Sequence, residues 1–174
     1  MTKADFELIV HERQGMVYSI AYNFFCNPAV AEEVAQDVLL QLYENRNSVE
    51  IGPHCVAWLR RTTIHRCIDT WRRSSLRHEV QLEKLPDIPA ECSEDDPLLT
   101  QKLGRLIASL PENPRSVLVL RYGEDMDVEE ISSVLQMPSR TVWSHLQRAT
   151  ALIREKVTLY LKEYKHEPVR TRSS

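Results

Sequence analysis

Glycine is scarce in this chain, with 4 residues in 174, and aromatic residues make up only 7%. A turn-rich β-sandwich or barrel uses more of both, so the shortage favours helices. Cysteine occurs only as Cys26, Cys55, Cys67 and Cys92, scattered without a C-x-x-C or other ligand spacing. That argues against a disulfide framework and against a zinc site. No apolar run is long enough to span a bilayer. The chain opens with Lys3, Asp5 and Glu7 before any apolar stretch, which is no signal peptide. An HExxH motif, a glycine-rich phosphate loop and a nucleophile motif are all missing. His65 and Cys67 do not make a catalytic pair by sequence, so no enzyme, cofactor or metal site is expected. A net charge of −3 also excludes a generally basic coat. What is there is a 43% hydrophobic share, enough for packed cores, and charge that is strongly segregated along the chain. A reduced, cytoplasmic, soluble protein is the expectation, with no membrane insertion.

From residue 3 to 25, Phe6, Ile9, Val10, Val17, Ile20, Ala21 and Phe24 recur at helical spacing, and Asn27-Pro28 breaks the run. The next helix, from about Pro28 to Asn45, buries Val30, Val34, Val38 or Leu39, and Leu42. Glu32, Glu33, Gln36, Asp37 and Gln41 lie largely off that stripe. They make either a solvated acidic face or a docking surface for a basic or polar groove. Residues 45 to 54, rich in Asn, Ser, Gly and Pro, read as a loop.

Val56 to Arg77 is a helix of different character. Its inward residues are Trp58, Leu59, Thr62, Ile64 or Thr63, and Ile68. Arg60, Arg61, Arg66, Arg72, Arg73 and Arg77 oppose only Asp69, and Trp71 sits among them. Guanidinium groups hold phosphates and rings stack on bases, so this interleaving suits a nucleic-acid strand better than plain solvent. The sign then reverses. From Glu79 to Pro97, seven acidic residues face Lys84 alone, and Pro86, Pro89 and Pro97 interrupt any helix. That composition reads as an acidic, flexible linker between two helical domains.

The second domain begins with a helix placing Leu99, Leu103, Leu106 and Leu110 on one side, followed by a helix from Pro114 to Tyr122 that Gly123 ends. Asp127 is placed to cap a short helix with Ile131, Val134 and Leu135 apolar. Pro138 stops it, and Ser139 is placed to cap a further helix with Val142, Leu146, Ala149 and Ile153 on one face. Two amphipathic helices across a short turn form a helix-turn-helix pattern. Arg140, Trp143, Ser144, His145, Gln147 and Arg148 lie away from the apolar face, where side chains reach phosphates and base edges.

The chain therefore reads as all-α: two small helical domains, residues 1–78 and 98–162, joined by an acidic flexible linker, 79–97. The C-terminal domain is a four-helix helix-turn-helix unit, and a polar tail, 163–174, follows. In this order the parts resemble a bacterial RNA polymerase sigma factor of the extracytoplasmic-function (ECF) group of the sigma-70 family. AEEVAQDVLLQLY (Ala31–Tyr43) is similar to the family's acidic helix, and WLRRTTIHRCIDTWRR (Trp58–Arg73) to its promoter-opening helix. LPENPRSVLVLRY (Leu110–Tyr122) and VEEISSVLQMPSRTVWSHLQRA (Val128–Ala149) resemble the two segments of its helix-turn-helix domain.

The resemblance implies a role for each part. Glu32, Glu33, Gln36 and Asp37 would dock on the coiled-coil of the largest subunit of core RNA polymerase. Asn47, His54, Arg61, His65, Arg66, Trp71, Arg72 and Arg73 would open and hold the promoter's −10 element, the loop from Asn47 to His54 pocketing a flipped-out base. Arg140, Thr141, Trp143, Ser144, His145, Gln147 and Arg148 would read the −35 element, while the same domain grips the polymerase flap. An anti-sigma factor is an implied partner. The sequence departs from the family where Trp143, His145 and Gln147 replace commoner residues, which bears on −35 preference. Gln136 replaces the usual turn glycine, asking a side-chain-bearing residue to adopt a left-handed conformation or the turn to differ. The alternative is a stand-alone helix-turn-helix regulator whose N-terminal domain senses or dimerises.

Overall fold

The computed structural model describes residues 1–77 and 97–165, with side chains described for 1–74 and 102–159. Among these residues run seven helices: α1 (Lys3–Phe25), α2 (Pro28–Glu44), α3 (Pro53–Arg77), α4 (Pro97–Ala108), α5 (Glu112–Gly123), α6 (Val128–Leu135) and α7 (Ser139–Lys165). No strand occurs among them. The acidic linker expected at 79–97 lies outside the described residues except for Pro97, where α4 starts.

Helix ends follow local chemistry. Thr2 and Asp5 cap α1 reciprocally, the Asp5 N–H donating to Thr2 Oγ1 at 3.2 Å and the Thr2 N–H to the Asp5 carboxylate at 2.8 Å. Asn27 Oδ1 accepts from the N–H groups of Ala29 and Val30 at 3.0 and 3.3 Å, starting α2 with Pro28 in its first turn. α3 starts at Pro53, so the loop before it is shorter than the composition suggested.

The first unit packs α1, α2 and α3 together. Val17, Ile20 and Phe24 meet Val34, Val38 and Leu42, with Leu59, Ile64 and Cys67 closing the core, all fully or almost fully buried. Val38, rather than Leu39, is the buried member of the α2 stripe. Thr63 and Ile64 are both inside, and the Thr63 hydroxyl is satisfied by donating to the Leu59 carbonyl at 2.6 Å. Ile68, expected inward, is only half-buried, and Cys67 takes the position beneath it.

The second unit, α4 to α7, buries Leu106, Leu110, Val117, Leu118, Leu120, Ile131, Val142, Leu146 and Ala149. Three expectations change here. Leu103, expected inward, is 47% exposed, because it lines an open apolar groove with Ile107, Leu118, Tyr122 and Ile153. Gly123 is the last helical residue of α5 rather than a left-handed stop, and Asp125 takes the positive φ of 51°. A Cβ on Gly123 would lie 3.0 Å from Asn23 Nδ2, so its smallness serves the approach of α1. Pro138, not Ser139, occupies the cap of α7, since its carbonyl accepts from the Val142 N–H at 3.1 Å.

The two units share one core. α1 packs on α4 and α5, and α3 packs on α5 and α6. One continuous apolar cluster runs from Ile9, Ile20 and Phe24 through Cys67 to Val117, Leu120 and Ile131. Arg115 of α5 lies within this joint, 2% exposed. Its guanidinium carbon sits 4.7 Å from the Phe24 ring centroid and 5.3 Å from that of Trp71. Its Nε donates to the Leu110 carbonyl at 3.0 Å and its Nη2 donates to the same oxygen. Burial pulls this guanidinium below its ordinary value, to about 10, so it keeps its charge at neutral pH.

Candidate nucleic-acid interface

The outer side of α3 and the loop before it form two adjoining depressions. One, about 320 Å³, is lined by Gln41, Trp58, Arg61, Thr62, His65, Arg66 and Asp69. The other, about 350 Å³, is lined by Asn45, Ser48, Val49, Glu50, His54 and Trp58. Trp58 is the wall common to both. An aromatic partition flanked by two histidines and two arginines offers a stacking surface and cations within one concavity. The loop is held in shape locally: Asn45 Nδ2 donates to the Gln41 carbonyl at 2.8 Å, and the Asn45 carbonyl accepts from Ser48 Oγ at 2.9 Å. Asn47 and His54 are exposed at its rim.

His65 projects to solvent from α3. Its imidazole is pulled below its usual value by partial desolvation and then by neighbouring Arg61, against a smaller upward pull from Asp69. It is therefore a hydrogen-bonding group rather than a cation at neutral pH.

Two arginines expected on DNA, Arg66 and Arg72, are held in ion pairs. Arg66 donates from Nε and Nη2 to Asp37 Oδ2 at 3.0 and 2.5 Å. A residue expected on DNA is thus paired with one expected on polymerase. Arg72 forks onto Glu112 of α5, while Arg73 is exposed. Trp71, expected among the stacking rings, is half-buried against the shared core beneath Arg115. Glu32, Glu33 and Gln36 are exposed together on α2, and Asp37 is half-buried beside them.

In the second unit, Asp127 caps α6 as expected, with Glu130 completing a reciprocal pair at 2.8 Å in each direction. Gln136 takes the left-handed conformation, φ 51° and ψ 44°. Ser132 braces the turn: its carbonyl accepts from the Met137 N–H at 3.2 Å and its hydroxyl donates to the Met137 carbonyl at 2.6 Å. Val142, Leu146 and Ala149 anchor α7 inward. Arg140, Trp143, Ser144, Gln147 and Arg148 are left exposed, with Thr141 and His145 half-buried between them. Trp143 is 56% exposed, a large apolar surface among the polar side chains from Arg140 to Arg148. His145 is held below its usual value by burial and by Arg148.

Two residues of this surface escaped the sequence reading. Trp58 was assigned inward, and Gln41 was placed only on the acidic helix. Helical periodicity assigns one face to each residue, and Trp58 sits on the border between two. Cys55 and Cys67 are buried with their thiols pushed up by desolvation, so neither offers a thiolate. Among the described residues no group of three or more His, Cys, Asp or Glu could hold a metal ion. Nor is any of their helices long and apolar enough to cross a membrane.

An exposed helix-turn-helix face and an Arg-rich concavity on a two-unit helical chain define a protein that handles nucleic acid. Residues 9–77 match the family Sigma-70 region 2, and residues 100–153 match Sigma-70, region 4. The chain is 32% identical over 153 residues to the RNA polymerase sigma-E factor of Streptomyces coelicolor, covering 88% of this chain and 86% of that one. It is 25% identical to the ECF RNA polymerase sigma factor SigW of Bacillus subtilis, covering 86% and 87%. Its fold matches the sigma factor RpoE of Bartonella quintana, solved with the anti-sigma factor NepR, at a TM-score of 0.69 and 19% identity. That match covers 88% of this chain and 97% of the other. The chain belongs to the sigma-70 family of RNA polymerase sigma factors, in its ECF group.

Proposed function

We propose that the chain docks on core RNA polymerase through the exposed acidic face of α2, carried by Glu32, Glu33 and Gln36 with Asp37 at its edge. The polymerase coiled-coil is its partner there, and the second unit grips the flap. The loop and α3 hold the opened −10 element, with the concavity around Trp58, Arg61, His65 and Arg66 taking a base out of the stack. Asn47 and His54 border its entrance, and Arg72 and Arg73 extend the track for phosphates. The exposed face of α7, from Arg140 to Arg148, reads the −35 element in the major groove. An anti-sigma factor restrains the chain by covering the polymerase-binding faces. The observation that carries this reading is the pair of depressions sharing Trp58, walled by Arg61, Arg66, His54 and His65. A stand-alone regulator has no use for such a concavity.

The test is co-purification of the tagged protein with bacterial core RNA polymerase, followed by run-off transcription on genomic fragments. Stoichiometric polymerase with new start sites is the expected result. Folded protein that captures no core and leaves a palindromic duplex footprint by itself would favour the regulator instead.

A further inference from the structure

We propose that Trp143 selects thymine: its exposed indole lies against the 5-methyl group of one thymine in the −35 element and makes that base a requirement of the promoter. This deepens, and rests on, the reading of α7 as the helix that enters the major groove.

The indole stands outside the packed core. Val142, Leu146 and Ala149 fill the inward positions of α7, and Trp143 lies beside that stripe with 56% of its surface exposed. Among the described residues no hydrogen bond, ion pair or ring contact engages it. Trp143 is the fifth residue of a helix that starts at Ser139. It therefore falls in the N-terminal turns, which meet base edges when such a helix lies in the groove. Arg140, three positions earlier, and Gln147, four positions later, share its side of the helix and are exposed.

The charge around it favours DNA over a protein partner. From 138 to 154 the chain carries three arginines, Arg140, Arg148 and Arg154, and no acidic residue. A face with that balance attracts the phosphate backbone, which fixes register but carries no sequence. Sequence has to come from the side chains that meet the bases.

The indole offers a flat apolar surface with one N–H donor and no acceptor. In the major groove thymine alone presents an apolar methyl group, with the O4 acceptor beside it. Cytosine turns an amino donor to the groove instead, which the indole N–H cannot pair. Guanine and adenine have acceptors there but no methyl. Thymine thus matches both the ring and its N–H, and the contact removes apolar surface from water on both partners.

The test uses holoenzyme reconstituted from core polymerase and the full-length chain. It selects duplexes from a library built on a promoter found by run-off transcription, with the −35 region randomised. Wild type is expected to enrich thymine at one position, and Trp143→Ala to lose that preference while keeping the others. Uracil at that position removes only the methyl group and should weaken wild-type binding about fourfold, read by fluorescence anisotropy of the labelled duplex. The same replacement should leave Trp143→Ala unaffected, whereas Trp143→Phe, which keeps a ring, should retain most of the penalty.

No enriched thymine, an enriched thymine that survives Trp143→Ala, or an equal uracil penalty in both proteins would each overturn the proposal. Loss of core capture by Trp143→Ala would also overturn it, by making Trp143 a polymerase contact. A selected −35 sequence that ignores Trp143 leaves the reading of α7 standing. A holoenzyme that forms but selects no −35 sequence strikes at that reading itself, and this proposal falls with it.

Discussion

At the scale of single residues, Gln136 shows what a missing glycine costs. The helix-turn-helix turn requires a left-handed residue after α6, and Gln136 adopts that conformation at φ 51°. A side chain there crowds the following carbonyl, which glycine would not. Gln136→Gly is expected to raise stability by up to about 1 kcal/mol, read as a higher urea midpoint with unchanged slope. No gain would mean that the hydrogen bonds from Ser132 already offset the strain.

Two histidines carry a second prediction. His65 and His145 both have imidazoles held below their usual value in the fold. The unfolded chain then takes up a proton more readily than the folded one. Their contribution to stability is in place above the ordinary value of 6.5 and is lost as pH falls through the lower folded values. Wild type should lose stability between about pH 7.5 and 5.5, and His65→Gln/His145→Gln should lose less, as measured by urea denaturation at both pH values. Equal losses would place the acid sensitivity in other groups.

At the scale of helices, each surface answers to its own readout. Glu33 is exposed on α2 and supports no hydrogen bond of the core, so Glu33→Lys should weaken capture of core polymerase by roughly tenfold while helicity stays the same. Asp37→Lys should also weaken capture, but it additionally frees Arg66 from its partner, which makes it the less clean probe. On α7, Arg148 is exposed beside Trp143 and Ser144. Arg148→Ala should lower promoter affinity by about 1–3 kcal/mol if its guanidinium reads a base edge, with core binding unaffected. An unchanged holoenzyme affinity would remove Arg148 from the reading set.

Much of this scale was legible in the sequence. Periodicity located all seven helices, because an amphipathic helix must repeat its apolar residues to bury one face. Capping chemistry placed the start of α6 at Asp127. Ends set by close approach were harder to read. Gly123 looked like a stop signal, yet its smallness serves contact with Asn23, which lies a hundred residues earlier in the chain.

At the scale of the whole molecule, the shared core makes the two units thermodynamically one. Phe24, Cys67, Val117 and Ile131 belong to a single buried cluster. Heating or urea should therefore unfold the chain in one cooperative transition, with near- and far-ultraviolet dichroism coincident. Arg115→Ala should cost about 2–4 kcal/mol, since it leaves the Leu110 carbonyl unpaired and a gap between the Phe24 and Trp71 rings. It should also separate the single transition into two. A loss below about 0.5 kcal/mol, with one transition kept, would show that the apolar contacts alone hold the joint.

The sequence by itself determined the helices, their inward stripes, the helix-turn-helix and the segregation of charge, since each depends on neighbours within a few turns. It also carried the family, because four motifs stand in order along one chain. Only the tertiary structure decided which arginines face solvent and which face glutamates of the other unit. Glu112 and Arg72 are forty positions apart, and no local pattern relates them. Trp71 illustrates the limit: an aromatic among arginines suits a nucleic-acid strand on chemistry alone, yet in this fold a buried guanidinium lies against it. Pairing between distant groups depends on how helices pack, and packing is set by all their faces at once.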